Sequence, residues 1–167
     1  MGHLIGKPSF PLTGIYSFCM VEMQESLILF LKLENMKIEL LQESFAKVLR
    51  RHDEFTASFY ERLFTMYPEV KPLFEKVNMV RQREKLLAAL VTIVNNLRKP
   101  EILAPYLKEL GRHHIEYHVR PEHFPMVGAA LLATFEAFLG NDWTDELKDS
   151  WGEAYNEAAR LMIEGYK

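Results

Sequence analysis

Between Gly14 and Pro68, and again between Pro72 and Pro100, the chain contains neither glycine nor proline, and its apolar residues recur at intervals of three and four. That spacing lines one face of an α-helix, whereas a half-buried strand needs a period of two, which is absent. Successive stripes are read off directly: Ile38, Leu41, Phe45, Val48; then Phe55, Phe59, Leu63, Met66, ended by Tyr67-Pro68; then Met79, Leu86, Leu90, Ile93, Leu97, closed by Lys99-Pro100. Leu103, Leu107 and Leu110 lead into His114, and Val127, Leu131, Phe135 and Phe138 stop at Gly140. Leu147, Trp151, Tyr155, Ala158 and Met162 form a last stripe, with Asn141 or Thr144 as its expected cap. Short connections and the lack of any internal repeat predict an all-α bundle of about seven helices in one domain.

With 167 residues, such a bundle buries a substantial core without staples. Cys19 is the only cysteine, so no intramolecular disulfide is possible and a reducing, cytoplasmic setting is expected. A net charge of -3 with no basic stripe gives no reason to expect nucleic acid; Arg81, Arg83 and Lys85 alternate with Gln82 and Glu84 and read as a solvated helix face. Phe18 to Leu33 is apolar but broken by Glu22, Glu25 and Lys32, which argues against a membrane span, and the start lacks the marks of a signal peptide. Residues 1–36 therefore read as an N-terminal extension, helical in part, docked on its own domain or on a second copy as a homodimer. Residues 37–167 read as the domain proper, and Met36 begins a self-sufficient segment.

His114 replaces the next leucine in a buried row, and a neutral imidazole is a good metal ligand when its other nitrogen donates to a carbonyl one turn back, here near Leu110. A buried histidine satisfied by backbone fits the same spacing. His114 and His118, four apart, could share a divalent metal, but a structural site needs further ligands and Pro121 places His118 in a turn. His113, His118 and His123 are expected on the surface. Gln82 adjoins an apolar face, Tyr60 lies at core spacing with a hydroxyl to satisfy, and Phe74 follows the Pro72 turn; each has an ordinary structural reading as well.

Taken in order, Phe59-Tyr60-Glu61-Arg62-Leu63-Phe64, Tyr67-Pro68 through Leu73-Phe74, Arg81-Gln82-Arg83-Glu84-Lys85-Leu86 and His114-x6-Pro121-Glu122 resemble the bacterial globins, in particular the haem domain of flavohaemoglobins and the related single-domain globins. Trp151-Gly152-Glu153-Ala154-Tyr155 is similar to the last helix of that group, and the likeness runs from about Lys37 to Lys167. The resemblance implies haem b held by His114 as proximal iron ligand. Without a CxxCH motif, it would be held without thioether links. Tyr60 and Gln82 would be the distal hydrogen-bond donors and catalytic pair. Leu86 would form part of the distal roof, with Phe74, Leu110 and Val119 against the porphyrin, and Arg83 and Lys85 near its propionates. Where flavohaemoglobins brace the proximal histidine with a tyrosine and a glutamate, this sequence has Phe124 and Tyr166, with Glu164 only nearby. A strong proximal push is therefore not expected.

A donor pair above the iron favours oxygen, which takes on negative charge, over carbon monoxide, which does not; a hydrogen bond to a charged acceptor is worth roughly 1.5–3 kcal/mol. The resemblance thus implies an oxygen-binding protein whose expected chemistry is conversion of nitric oxide to nitrate, with electrons from a separate reductase. Two alternatives stand beside it: reversible oxygen storage or sensing without turnover, and a helical interaction protein without haem.

Overall fold

The computed structural model describes residues 38–167 together with Gln24, Leu27, Ile28 and Leu31. The rest of the expected N-terminal extension, Cys19 included, lies outside the described residues. Leu27, Ile28 and Leu31 fall on helix and are exposed.

Residues 38–167 form six α-helices and two 3-10 segments, with no strand among the described residues. They are α1 (Ile38–Leu49), α2 (His52–Met66), the first 3-10 segment (Pro68–Phe74), α3 (Met79–Asn95), α4 (Pro100–Glu116), α5 (His123–Leu139), the second 3-10 segment (Gly140–Asp142) and α6 (Asp145–Glu164). The boundaries have local causes. Asn78 caps α3 by accepting the Arg81 N–H, and Thr144 caps α6 by accepting the Leu147 N–H. Pro68 and Pro100 stand in first turns, where a missing N–H costs nothing. Gly140, at φ 54°, ends α5 in a conformation that a Cβ would disfavour.

The core is aromatic at its centre. Phe135 stacks on Trp151 at 4.1 Å between centroids and meets Phe55 at 4.9 Å, while the Trp151 indole N–H donates to Ser44 Oγ at 3.0 Å. The stripes read from the sequence are buried or partly buried against the core except at Met66, which is 44% exposed at the end of α2. His123 is a second departure. It was expected on the surface but is buried, because its Nδ1 accepts the Arg120 N–H at 3.1 Å and closes the turn into α5. The segment His123–Asp142 is long and apolar enough, by composition, to cross a membrane, yet it packs on α1, α2 and α6 as a core helix.

Two helix pairs set the frame. α5 lies along α2, and α4 lies along α6 at very short range. A Cβ on Gly111 would stand 1.9 Å from the Met162 carbonyl oxygen, and one on Gly165 would stand 2.0 Å from that of Lys108. Backbone meets backbone at both points, and this fixes α4 three residues before His114. By contrast, α3 packs on α1 and α2 but does not form a packed pair with α4.

Candidate functional site

The unpaired faces of α3 and α4 carry most of the residues singled out by sequence, in two groups. In the first group, Tyr60 of α2 is buried, and the Gln82 side chain of α3 lies close enough to its hydroxyl to act on its titration. Its ring meets Phe74 at 5.6 Å and Phe64 at 5.9 Å, and those two meet each other at 5.2 Å. Removal from water pushes the Tyr60 pKa up to about 12, with the Gln82 hydrogen bond opposing. The phenol is therefore neutral at physiological pH.

In the second group stands His114, partly buried in the last turn of α4. Its Nδ1 lies 2.7 Å from the Leu110 carbonyl oxygen, which can only accept, so Nδ1 carries the proton and Nε2 keeps its lone pair. Burial holds its pKa below the ordinary histidine range; the Leu110 bond opposes this and neighbouring His113 adds to it. A neutral imidazole with a free Nε2 is the form that binds a metal. The residue is also locked by backbone, since its carbonyl receives the N–H of Tyr117 at 3.2 Å and of Val119 at 3.0 Å. Phe124 of α5 lies 6.1 Å from the imidazole, centroid to centroid, at an interplanar angle of 30°. Tyr166 donates its hydroxyl to the Val119 carbonyl at 3.0 Å, and Glu164 pairs with Lys108 and Arg160, away from the imidazole.

Leu86 of α3, Leu110 of α4 and Val119 in the turn after it are apolar and packed on the core but only partly buried. Arg83 turns back to its own helix, with Nε donating to the Met79 carbonyl at 3.3 Å. His118 lies exposed in the turn at φ 60°, and no three His, Cys, Asp or Glu side chains among the described residues could hold a metal ion together. Two cavities lie elsewhere: a groove of about 380 Å³ beside Phe124 and Ile163, and a small apolar space of about 40 Å³ beside Leu90 and Trp151. Neither includes His114, Tyr60 or Gln82.

Sequence reasoning missed three participants. Phe64 could have been found from its spacing of four after Tyr60. The anchoring of Val119 by Tyr166 and the approach of Lys85 to Tyr117 join distant segments, and no local pattern marks them.

Residues 57–162 match the family model described as Globin. The chain is 34% identical over 130 residues to the flavohemoprotein of Bordetella parapertussis, covering 76% of this chain and 32% of that protein. With the Bacillus subtilis flavohemoprotein the identity is 32% over 134 residues, covering 78% and 33%. The chain thus spans about a third of the length of these curated relatives. Among solved structures, a bacterial globin from Campylobacter jejuni superposes with a TM-score of 0.67 at 25% identity, covering 77% of this chain and 92% of that one. An engineered carbene transferase from Rhodothermus marinus gives 0.68 at 28% identity, covering 76% and 88%. The chain belongs to the globin family.

Proposed function

We propose that the faces of α3 and α4 enclose haem b and that this globin binds oxygen there, with conversion of nitric oxide to nitrate as its chemistry. Haem b supplies an iron that takes a diatomic gas and exchanges single electrons. The chain's residues suit that cofactor on three counts. His114 offers Nε2 as the nitrogen not already engaged. Leu86, Leu110 and Val119 offer apolar surface not consumed by packing of one helix on the other. Phe74 offers an aromatic edge beside Tyr60.

The observation that carries the reading is a buried, neutral Tyr60 phenol with the Gln82 side chain beside it. A neutral phenol and an amide each carry a proton donor that a ligand near them could receive. Such a donor stabilises a ligand that gains negative charge and does little for one that stays neutral. Tyr60 and Gln82 would therefore retain oxygen while nitric oxide arrives. The overall change balances as nitric oxide plus dioxygen plus one electron giving nitrate. The electron would come from a reductase, the role suggested by the flavin in the relatives' name.

Reversible oxygen holding is the second reading, and one observation favours it. Nδ1 of His114 meets a neutral carbonyl and no carboxylate, so the imidazole is not enriched as an electron donor. Reduced protein given oxygen, an electron donor and repeated additions of nitric oxide separates the two. Many nitrates per haem are expected for the enzyme; oxidation that stops at the ferric form after one equivalent leaves reversible holding.

A further inference from the structure

Lys85 and Tyr117 make a contact that no other part of the account uses. Lys85 lies on α3, three residues beyond Gln82, and Tyr117 opens the turn after α4, three residues beyond His114. The Lys85 ammonium nevertheless sits 6.0 Å from the centroid of the Tyr117 ring, joining α3 to the end of α4, two helices that form no extensively packed pair. Tyr117 is 56% exposed, so its ring is not held there by the core. Its backbone is held: the Tyr117 N–H donates to the His114 carbonyl, which keeps the ring in register with the imidazole. Lys85 has no ion pair among the described residues, although Glu84 and Arg83 adjoin it.

We propose that Tyr117 positions Lys85 at the mouth of the α3–α4 cleft so that its ammonium receives the carboxylates of the cofactor. This inference rests on the haem reading above. A cation on a flexible four-carbon stem samples many positions, and an aromatic face narrows them to those over the ring. Haem presents an apolar body and two anionic side groups. A cleft walled by aliphatic residues and edged by one unpaired ammonium matches both parts. Tyr117 touches nothing on the cofactor in this scheme; its effect passes through Lys85.

The test is the rate at which hemin leaves the reconstituted full chain for an excess of a haem-scavenging protein. Tyr117→Leu should speed loss about two- to fivefold, the range of an exposed cation–aromatic contact. Tyr117→Phe should release hemin at the wild-type rate, because the ring alone matters. Lys85→Gln should also speed loss, and adding Tyr117→Leu to it should change nothing further. Hemin dimethyl ester, which lacks the carboxylates, should leave all five proteins at one common rate. An unaltered rate in Tyr117→Leu overturns the proposal. So does an acceleration that survives in the Lys85→Gln background or with the ester, because it would mark a merely structural role. Wild-type protein that takes up no hemin would overturn the cofactor reading as well, whereas uptake with unchanged rates overturns this inference alone.

Discussion

Replacing His114 with alanine is expected to abolish stoichiometric hemin binding, seen as loss of the sharp Soret band when hemin is titrated into purified protein. The imidazole is the one metal-binding side chain in the cleft whose second nitrogen is already committed, to Leu110 at 2.7 Å. Without it the site retains apolar surface, the Tyr60 and Gln82 side chains and the Lys85 ammonium, which bind a porphyrin without supplying an imidazole to its iron. His113→Ala is the matched control. That side chain is 53% exposed and lies beside Glu109, so its removal should leave the band intact. Added imidazole should partly restore the band to the His114→Ala protein, since a ligand lost at an intact cleft can be supplied from solution. A band of undiminished strength in His114→Ala would place the iron ligand elsewhere.

Gly111→Ala is expected to give the largest loss of stability of any single-methyl change in the chain. The added carbon would collide with the Met162 carbonyl at 1.9 Å, and a carbonyl within a helix cannot rotate aside as a side chain does. The two helices must separate, which costs about 3 kcal/mol, the upper end of the usual range for overpacking. For a domain of this size that corresponds to a fall in Tm of roughly 6–12 °C by thermal unfolding. Because His114 follows three residues later on the same helix, hemin affinity should fall with it. Gly152→Ala supplies the contrast. Nothing lies within 4 Å of a Cβ there, and the position is inside α6. Removing a helical glycine's extra chain entropy should stabilise by about 0.5–1 kcal/mol. Equal melting temperatures for the two variants would refute the backbone contact between α4 and α6.

These two glycines show why some of the fold was legible in the sequence and some was not. Apolar spacing reports which face of a helix is buried, and it located α1 to α6 with Pro68, Pro100 and Gly140 at their ends. It does not report what that face touches. Gly111 looks like a weak point in a helix until Met162 is seen against it. His123 failed for a related reason: its satisfaction depends on the Arg120 N–H, a turn geometry that hydrophobic patterning does not encode. Met66 failed because a periodic row continues to the end of a helix even where the neighbouring helix has already diverged.

The candidate site divides in the same way. His114, Tyr60, Gln82 and Phe74 were recognisable because their types and order follow a pattern. The Leu110 bond to His114 then follows from positions on one helix. The substitution of Phe124 beside the imidazole was equally visible. What joins the walls, Lys85 with Tyr117 and Tyr166 with Val119, arises from tertiary approach alone.

The central claim is that the side chains at 60 and 82 and the imidazole at 114 act on one ligand from opposite sides. The rate of oxygen release from the reduced, hemin-loaded protein tests it most directly, compared with that of Tyr60→Phe. Removing the hydroxyl should speed oxygen release roughly ten- to a hundredfold, the worth of a hydrogen bond to a charged acceptor, while leaving carbon monoxide release nearly unchanged. Identical oxygen release from both proteins would contradict it.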